Sequence, residues 1–225
     1  MALESEADAL ARGDTAPPFE LRGADGETYT LDSFAEGEAL LVVFTCNHCP
    51  YAKARIPAMN GIAADYDEVA VVGINPNDEE QYPEDSFERM QEYVESGDVQ
   101  YDAYLRDDTQ EVARAYGAVC TPDPFLFANH EGREARSASD GASSAERSSA
   151  DHSSGQSPRE DGDEPRAEFH LKYHGRLDDA TNPDDEPSGE PGFEMREVID
   201  AVLAGEEVDR ESRPSRGCSI KWRED

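Results

Sequence analysis

With 225 residues, the chain has the length of one domain with a sizeable core and is short for two. Its 52 acidic residues stand against 20 basic ones, a formal net charge of -32, which excludes nucleic acid as a partner. Compact apolar runs inside this acidic background exclude wholesale disorder and assign the charge to the surface of something folded.

Residues 1–13 are acidic and alanine-rich, without the basic flank and continuous apolar stretch of a secretory signal. Nothing later approaches the length of a membrane span, so a soluble, cytoplasmic protein with no membrane partner is expected. Residues 18–21 and 28–31 read as two strands around the turn Ala24-Asp25-Gly26, with Leu31 and Phe34 starting a helical turn. Residues 39–45 are nearly unbroken aliphatic and aromatic sequence, as in a strand buried on both faces, and end at Cys46.

From Pro50, which suits a first helical turn, Ile56, Met59, Ile62, Ala63 and Tyr66 fall three and four apart on one helix face. Residues 69–75 predict a second buried strand, 85–95 and 108–116 two further helices, and 101–105 a short strand between those helices. Residues 124–128 and 168–173 predict two more strands, and 193–203 a closing helix ended by Gly205. Strands alternating with helices put helices on both faces of a sheet, and two late strands joined directly make part of that sheet antiparallel. The expected class is therefore a mixed α/β fold, with residues 1–225 as one domain.

Between the last two strands, residues 135–167 contain nothing apolar larger than alanine and are dominated by Ser, Asp, Glu, Arg and Gly. Such a segment cannot bury enough surface to offset its ordering entropy, and a disordered hairpin insertion is expected there. A longer loop is tolerable because each doubling of its length costs only about 0.6 kcal/mol. Residues 206–225 form a C-terminal tail.

Four cysteines in a chain of this size do not make a disulfide scaffold and point to redox or metal chemistry. Cys46 and Cys49 sit three apart where a strand meets a helix, a spacing that lets two thiols close a small disulfide ring. Free N–H groups and the dipole at a helix start stabilise a thiolate, lowering a thiol pKa from about 8.5 to roughly 3.5–7.5. Cys46 is accordingly the expected nucleophile and Cys49 the resolving thiol that releases a mixed disulfide. His48 either tunes this exchange as an imidazolium or is a solvated side chain without a role. A zinc site would need four ligands, drawn from Cys46, Cys49, Cys120 and either His48 or Cys218, and the second C-x-x-C usual for zinc is missing. Neither a metal nor a cofactor is expected.

The succession of strand, Cys46-Asn47-His48-Cys49-Pro50 and helix resembles the thioredoxin-like superfamily. Within it, the likeness is to the redoxin branch related to alkyl hydroperoxide reductase and thiol-specific antioxidant proteins. The opening Gly13-Asp14-Thr15-Ala16-Pro17-Pro18-Phe19-Glu20-Leu21 and Asp25-Gly26 resemble the redoxin N-terminal hairpin. Tyr116-Gly117-Ala118-Val119-Cys120-Thr121-Pro122-Asp123 resembles the loop in which a cis proline faces the redox motif, the matching position being Pro122. The resemblance implies that the backbone beside this proline pairs with an extended substrate, which makes Thr121 and Pro122 substrate-site candidates. Cys120 is then either a third redox thiol or a small buried hydrophobe. Gly217-Cys218-Ser219-Ile220-Lys221-Trp222 resembles a tail shared by redoxins carrying the same motif. Its apolar residues are expected to dock on the body, with Cys218 a further accessory thiol.

Two departures qualify the likeness. Thr45 stands where thioredoxins have tryptophan, and Leu40 where they have a buried acid. The peroxiredoxin threonine three residues before the reactive cysteine is also missing, since Val43 precedes Cys46 and Cys46 precedes Cys49.

The expected activity is thiol-disulfide exchange with protein or small-molecule disulfides, recharged by a thiol electron donor. A thiol-dependent peroxidase and a non-catalytic binding module are the alternatives. Finally, with Lys53, Lys172 and Lys221 the only lysines, the acidic composition resembles that of proteins from salt-loving organisms, where molar salt cuts the Debye length to about 3 Å.

Overall fold

Six consecutive apolar residues, Ala39–Phe44, form an inner strand of the main sheet, and each is fully buried. Alternate side chains point to opposite faces, so Leu41 and Val43 feed one core and Leu40, Val42 and Phe44 the other. This is a computed structural model, and it describes residues 2–5, 10–129 and 167–224. In chain order the strands and helices are β1 (Ala2–Glu4), β2 (Glu20–Gly23), β3 (Thr28–Thr30), β4 (Ala39–Phe44), α1 (Pro50–Lys53), α2 (Ile56–Asp65) and β5 (Val69–Asn75). There follow α3 (Phe87–Glu95), β6 (Ala103–Arg106), α4 (Glu111–Tyr116), β7 (Cys120–Thr121), β8 (Asp123–Asn129), β9 (Phe169–His174), α5 (Phe193–Ala204) and β10 (Arg216–Ser219). Single 3-10 turns occupy Leu31–Phe34 and Pro83–Asp85.

Seven strands make one sheet in the order β3-β2-β6-β5-β4-β8-β9. β4 and β6 flank β5 in parallel, and the remaining pairs are antiparallel. Met59 and Ile62 of α2, Met90 of α3 and Met195 and Ile199 of α5 pack on Leu41, Val43 and Val71. Val112 and Tyr116 of α4 pack with Phe44, Phe125 and Phe127 on the opposite face. The expected mixed α/β fold with helices on both faces is what the chain adopts.

Three details differ from the sequence reading. The helix expected to run unbroken from Pro50 is split between α1 and α2, because Pro57 has no N–H to donate to the Lys53 carbonyl and its ring crowds that oxygen. The first strand of the hairpin runs over Glu20–Gly23 rather than 18–21, while Leu31 and Phe34 do open a helical turn, of 3-10 type. A second sheet, β1-β10-β7, was not anticipated at all. It ties the opening residues and the tail to the body, with Cys218 opposite Ala2 on one side and Thr121 on the other. The insertion expected at 135–167 lies, apart from Ala167, outside the described residues. Among those residues no helix is long and apolar enough to cross a membrane.

Candidate active site

β4 delivers the motif. Thr45 still bonds the Ile74 carbonyl, and Cys49 then caps α1 with Pro50 in its first turn. Cys46 and Cys49 are 1% and 0% exposed, and all four cysteines are free thiols. Thr121 joins the pair: its Oγ1 lies 3.1 Å from Cys46 Sγ, and its carbonyl lies 3.5 Å from Cys49 Sγ. The Thr121–Pro122 peptide is cis, as the resemblance implied.

The environment moves the two thiols of the pair in opposite directions. Burial, the contact with Cys49 and the negative field of Asp85 push the Cys46 thiol well above its ordinary value. Cys49 is held at about 5 by its hydrogen bond from Cys46, which outweighs burial, with help from the Cys218 side chain and the N–H groups of Ala52 and Cys218. Cys49 also caps the helix, where the Ala52 N–H reaches its sulfur. The two thiols ionise as a pair, the first proton leaving more easily than the second.

His48 is half-buried, stacked on Tyr82 at 4.5 Å between ring centroids, and its Nδ1 lies 2.5 Å from Asp85 Oδ2. Asp85 is fully buried, and its carboxylate also accepts from Asn47 N–H (2.6 Å), His48 N–H (3.1 Å) and Asn77 Nδ2 (2.9 Å). Burial alone would raise this carboxyl, but the bond and charge of His48, with Asn77 and the Asn47 N–H, together hold it below its ordinary value. An ionised Asp85 can only accept, so His48 Nδ1 carries the proton and Nε2 is left free. Any imidazolium at His48 therefore comes with its own counter-charge, which weakens the tuning expected of it. Buried Arg106 steadies this loop through the carbonyls of Asp85 (3.0 Å) and Asn77 (2.7 Å).

Sequence reasoning missed Asp85. It ends the short turn that Pro83 begins, and in a chain with 52 acidic residues nothing marks this one as buried. Asp123, next to Pro122, was missed for the same reason; it is fully buried and paired with His174 Nε2 at 2.7 Å. Leu40, where thioredoxins carry an acid, is simply core.

Of the accessory thiols, Cys120 faces the Pro122 carbonyl at 3.5 Å and is pushed far up by burial, so it does not ionise. Cys218 instead packs on the apolar cluster of Cys46, Cys49 and Ala52. Cys46, His48 and Asp85 offer possible metal-ligand atoms within 4.8 Å of one another, a different set from the one weighed above. In this arrangement the His48 and Asp85 atoms bond each other, and both Asp85 oxygens already accept from protein donors, so a metal would have to displace those bonds.

Residues 12–137 match the AhpC/TSA family. An uncharacterized conserved protein from Geobacillus kaustophilus is 33% identical, covering 100% of this chain and 98% of its own, with a TM-score of 0.76. A hypothetical protein from Sinorhizobium meliloti is also 33% identical, covering 98% of this chain and 100% of its own, with a TM-score of 0.74. A putative thiol:disulfide interchange protein from Chlorobium tepidum is 26% identical over 52% of this chain and 78% of its own, with a TM-score of 0.42. No curated protein matches the chain.

Proposed function

The chain belongs to the AhpC/TSA family, and from that premise we propose that it is a thiol-disulfide oxidoreductase cycling Cys46 and Cys49 between dithiol and disulfide. Thiol-based redox chemistry is common ground for such a protein; the observation that supports this form of it is two free, buried thiols packed in one cluster and both in contact with Thr121. In this reading the Cys49 thiolate attacks one sulfur of a substrate disulfide, and the first substrate thiolate leaves. Cys46 then loses its proton and attacks Cys49 Sγ, so that the Cys46–Cys49 bond forms and the second substrate thiolate departs. The substrate gains two electrons, the pair loses two, and a thiol donor restores it. The sequence reading puts Cys46 first in this order; the lowered Cys49 thiol supports starting from Cys49. Thr121 and Pro122 shape the site from across it.

The test is a redox titration of the purified protein with alkylation of the remaining thiols. A reversible two-electron transition that closes a Cys46–Cys49 bond is expected; it is absent from Cys49→Ser, and Cys46→Ser cannot form that bond. If the wild-type protein forms no Cys46–Cys49 bond at any potential, the reading fails.

One observation favours a second reading, a thiol-dependent peroxidase. The threonine hydroxyl that peroxiredoxins supply from within their motif is missing here, but Thr121 brings one to 3.1 Å from Cys46 from another element. Comparing peroxide consumption with reduction of a protein disulfide by the same preparation separates the two.

A further inference from the structure

Neither sulfur of the pair is open to solvent, and β10 closes the site. This strand runs antiparallel to β7, with Cys218 opposite Thr121 and Ser219 opposite Cys120, so the backbone beside Pro122 is already paired within the chain. Its seat is tight at Gly217, where a Cβ would run into the Thr121 carbonyl. Both ends are pinned: Ser215 Oγ donates to the Pro122 carbonyl at 2.7 Å, and Ile220 N–H to the Val119 carbonyl at 3.0 Å. The result is that Cys218 is packed against the buried cluster of Cys46, Cys49 and Ala52. Of the four thiols, Cys218 alone is not fully buried.

We propose that Cys218 is the third sulfur of the redox site and exchanges with the Cys46–Cys49 disulfide, carrying the oxidised state between the buried pair and the surface. The inference rests on the dithiol cycle proposed above. In the step itself, the Cys218 thiolate attacks Cys49 Sγ; the Cys49–Cys218 bond forms and the Cys46–Cys49 bond breaks. Cys46 leaves with the electron pair and takes up the proton that Cys218 gave away. No net oxidation occurs, so no further reactant is needed. The disulfide then includes the partly buried Cys218, the most accessible of the four cysteines, where an outside thiol can attack, and the same step run backwards lets an outside oxidant act on the buried pair.

The electrostatics change in the right direction during this cycle. In the reduced site, burial and then the contact and charge of Cys49 push the Cys218 thiol up to about 11, with Lys221 opposing. Once Cys49 is in a disulfide it carries no charge, and the Lys221 ammonium acts with less opposition. Cys49, which packs with Cys46 in the cluster that Cys218 covers, is the shared member of either bond.

The experiment oxidises wild type, Cys46→Ser, Cys46→Ala and Cys218→Ser with diamide and maps the disulfides by mass spectrometry of alkylated peptides. Cys218→Ser should close Cys46–Cys49. Each Cys46 variant should lose two of its three thiols and yield Cys49–Cys218, and the wild type should give both bonds. If Cys218→Ser closes its bond while both Cys46 variants keep all three thiols, the third-sulfur inference is overturned and the dithiol cycle stands. If Cys218→Ser fails to close, the dithiol cycle itself falls. Should the Cys46 variants not fold, the wild-type map decides, and absence of a Cys49–Cys218 bond at every degree of oxidation overturns the inference.

Discussion

Asp85 holds His48 from beneath: the buried carboxylate meets the ring Nδ1 at 2.5 Å and also takes the backbone N–H groups of Asn47 and His48. One side chain from the turn before α3 thus fixes both the ring and the backbone of the loop that carries Cys46. The same negative charge raises the Cys46 thiol, so it shapes the redox pair as well as the loop.

Asp85→Asn places an amide where several donors point, leaving buried N–H groups poorly matched, and should cost about 1–3 kcal/mol of stability. The folded carboxyl ionises below its ordinary value of 3.8, so its contribution is present above that value and is lost as pH falls through the folded one. The stability difference between wild type and Asp85→Asn, measured by urea unfolding, should be full at neutral pH and shrink below about pH 4. A difference that does not change with acid would show that His48 and Asn77 do not hold the carboxylate.

The ultraviolet absorbance of the thiolate should appear as pH rises through about 5 in the reduced wild type, from Cys49. Removing the main donor in Cys46→Ala should move this titration up toward the ordinary thiol value. Cys218→Ser should leave it closer to wild type, since the Cys46 hydrogen bond contributes more. A wild-type titration that persists in Cys49→Ser would return the charge to Cys46.

Gly217→Ala puts a methyl group into the Thr121 carbonyl and should unseat β10, at a cost of roughly 1–3 kcal/mol. With the strand lifted, Cys46 and Cys49 should alkylate faster than in wild type under native conditions. Unchanged alkylation rates would mean that β10 does not guard the pair.

With a formal charge of -32, self-repulsion should weaken the folded state in dilute buffer, and screening should relieve it. The thermal midpoint is expected to rise as KCl approaches molar concentration. A midpoint indifferent to salt would remove the halophilic reading of the composition.

Much of the architecture was legible in the chain because strands and helices buried in a core announce themselves by side-chain period. The apolar runs at 39–45 and 69–75 and the threes and fours from Ile56 to Tyr66 required no partner to be read. The Cys46–Cys49 spacing at a strand end was equally local. β7 and β10 have no such signature: they are short, contain Thr, Arg, Gly and Ser, and are strands only because each completes the other's hydrogen bonds. Asp85 reaches the motif loop from about forty residues away in a chain crowded with acids, and burial, which no count of residues reveals, is what sets it apart. The sequence by itself therefore determined the fold class and the chemical groups at the motif. Tertiary structure alone decided what surrounds the two sulfurs and which third thiol lies beside them, because desolvation and hydrogen bonding act through space between segments far apart in the chain.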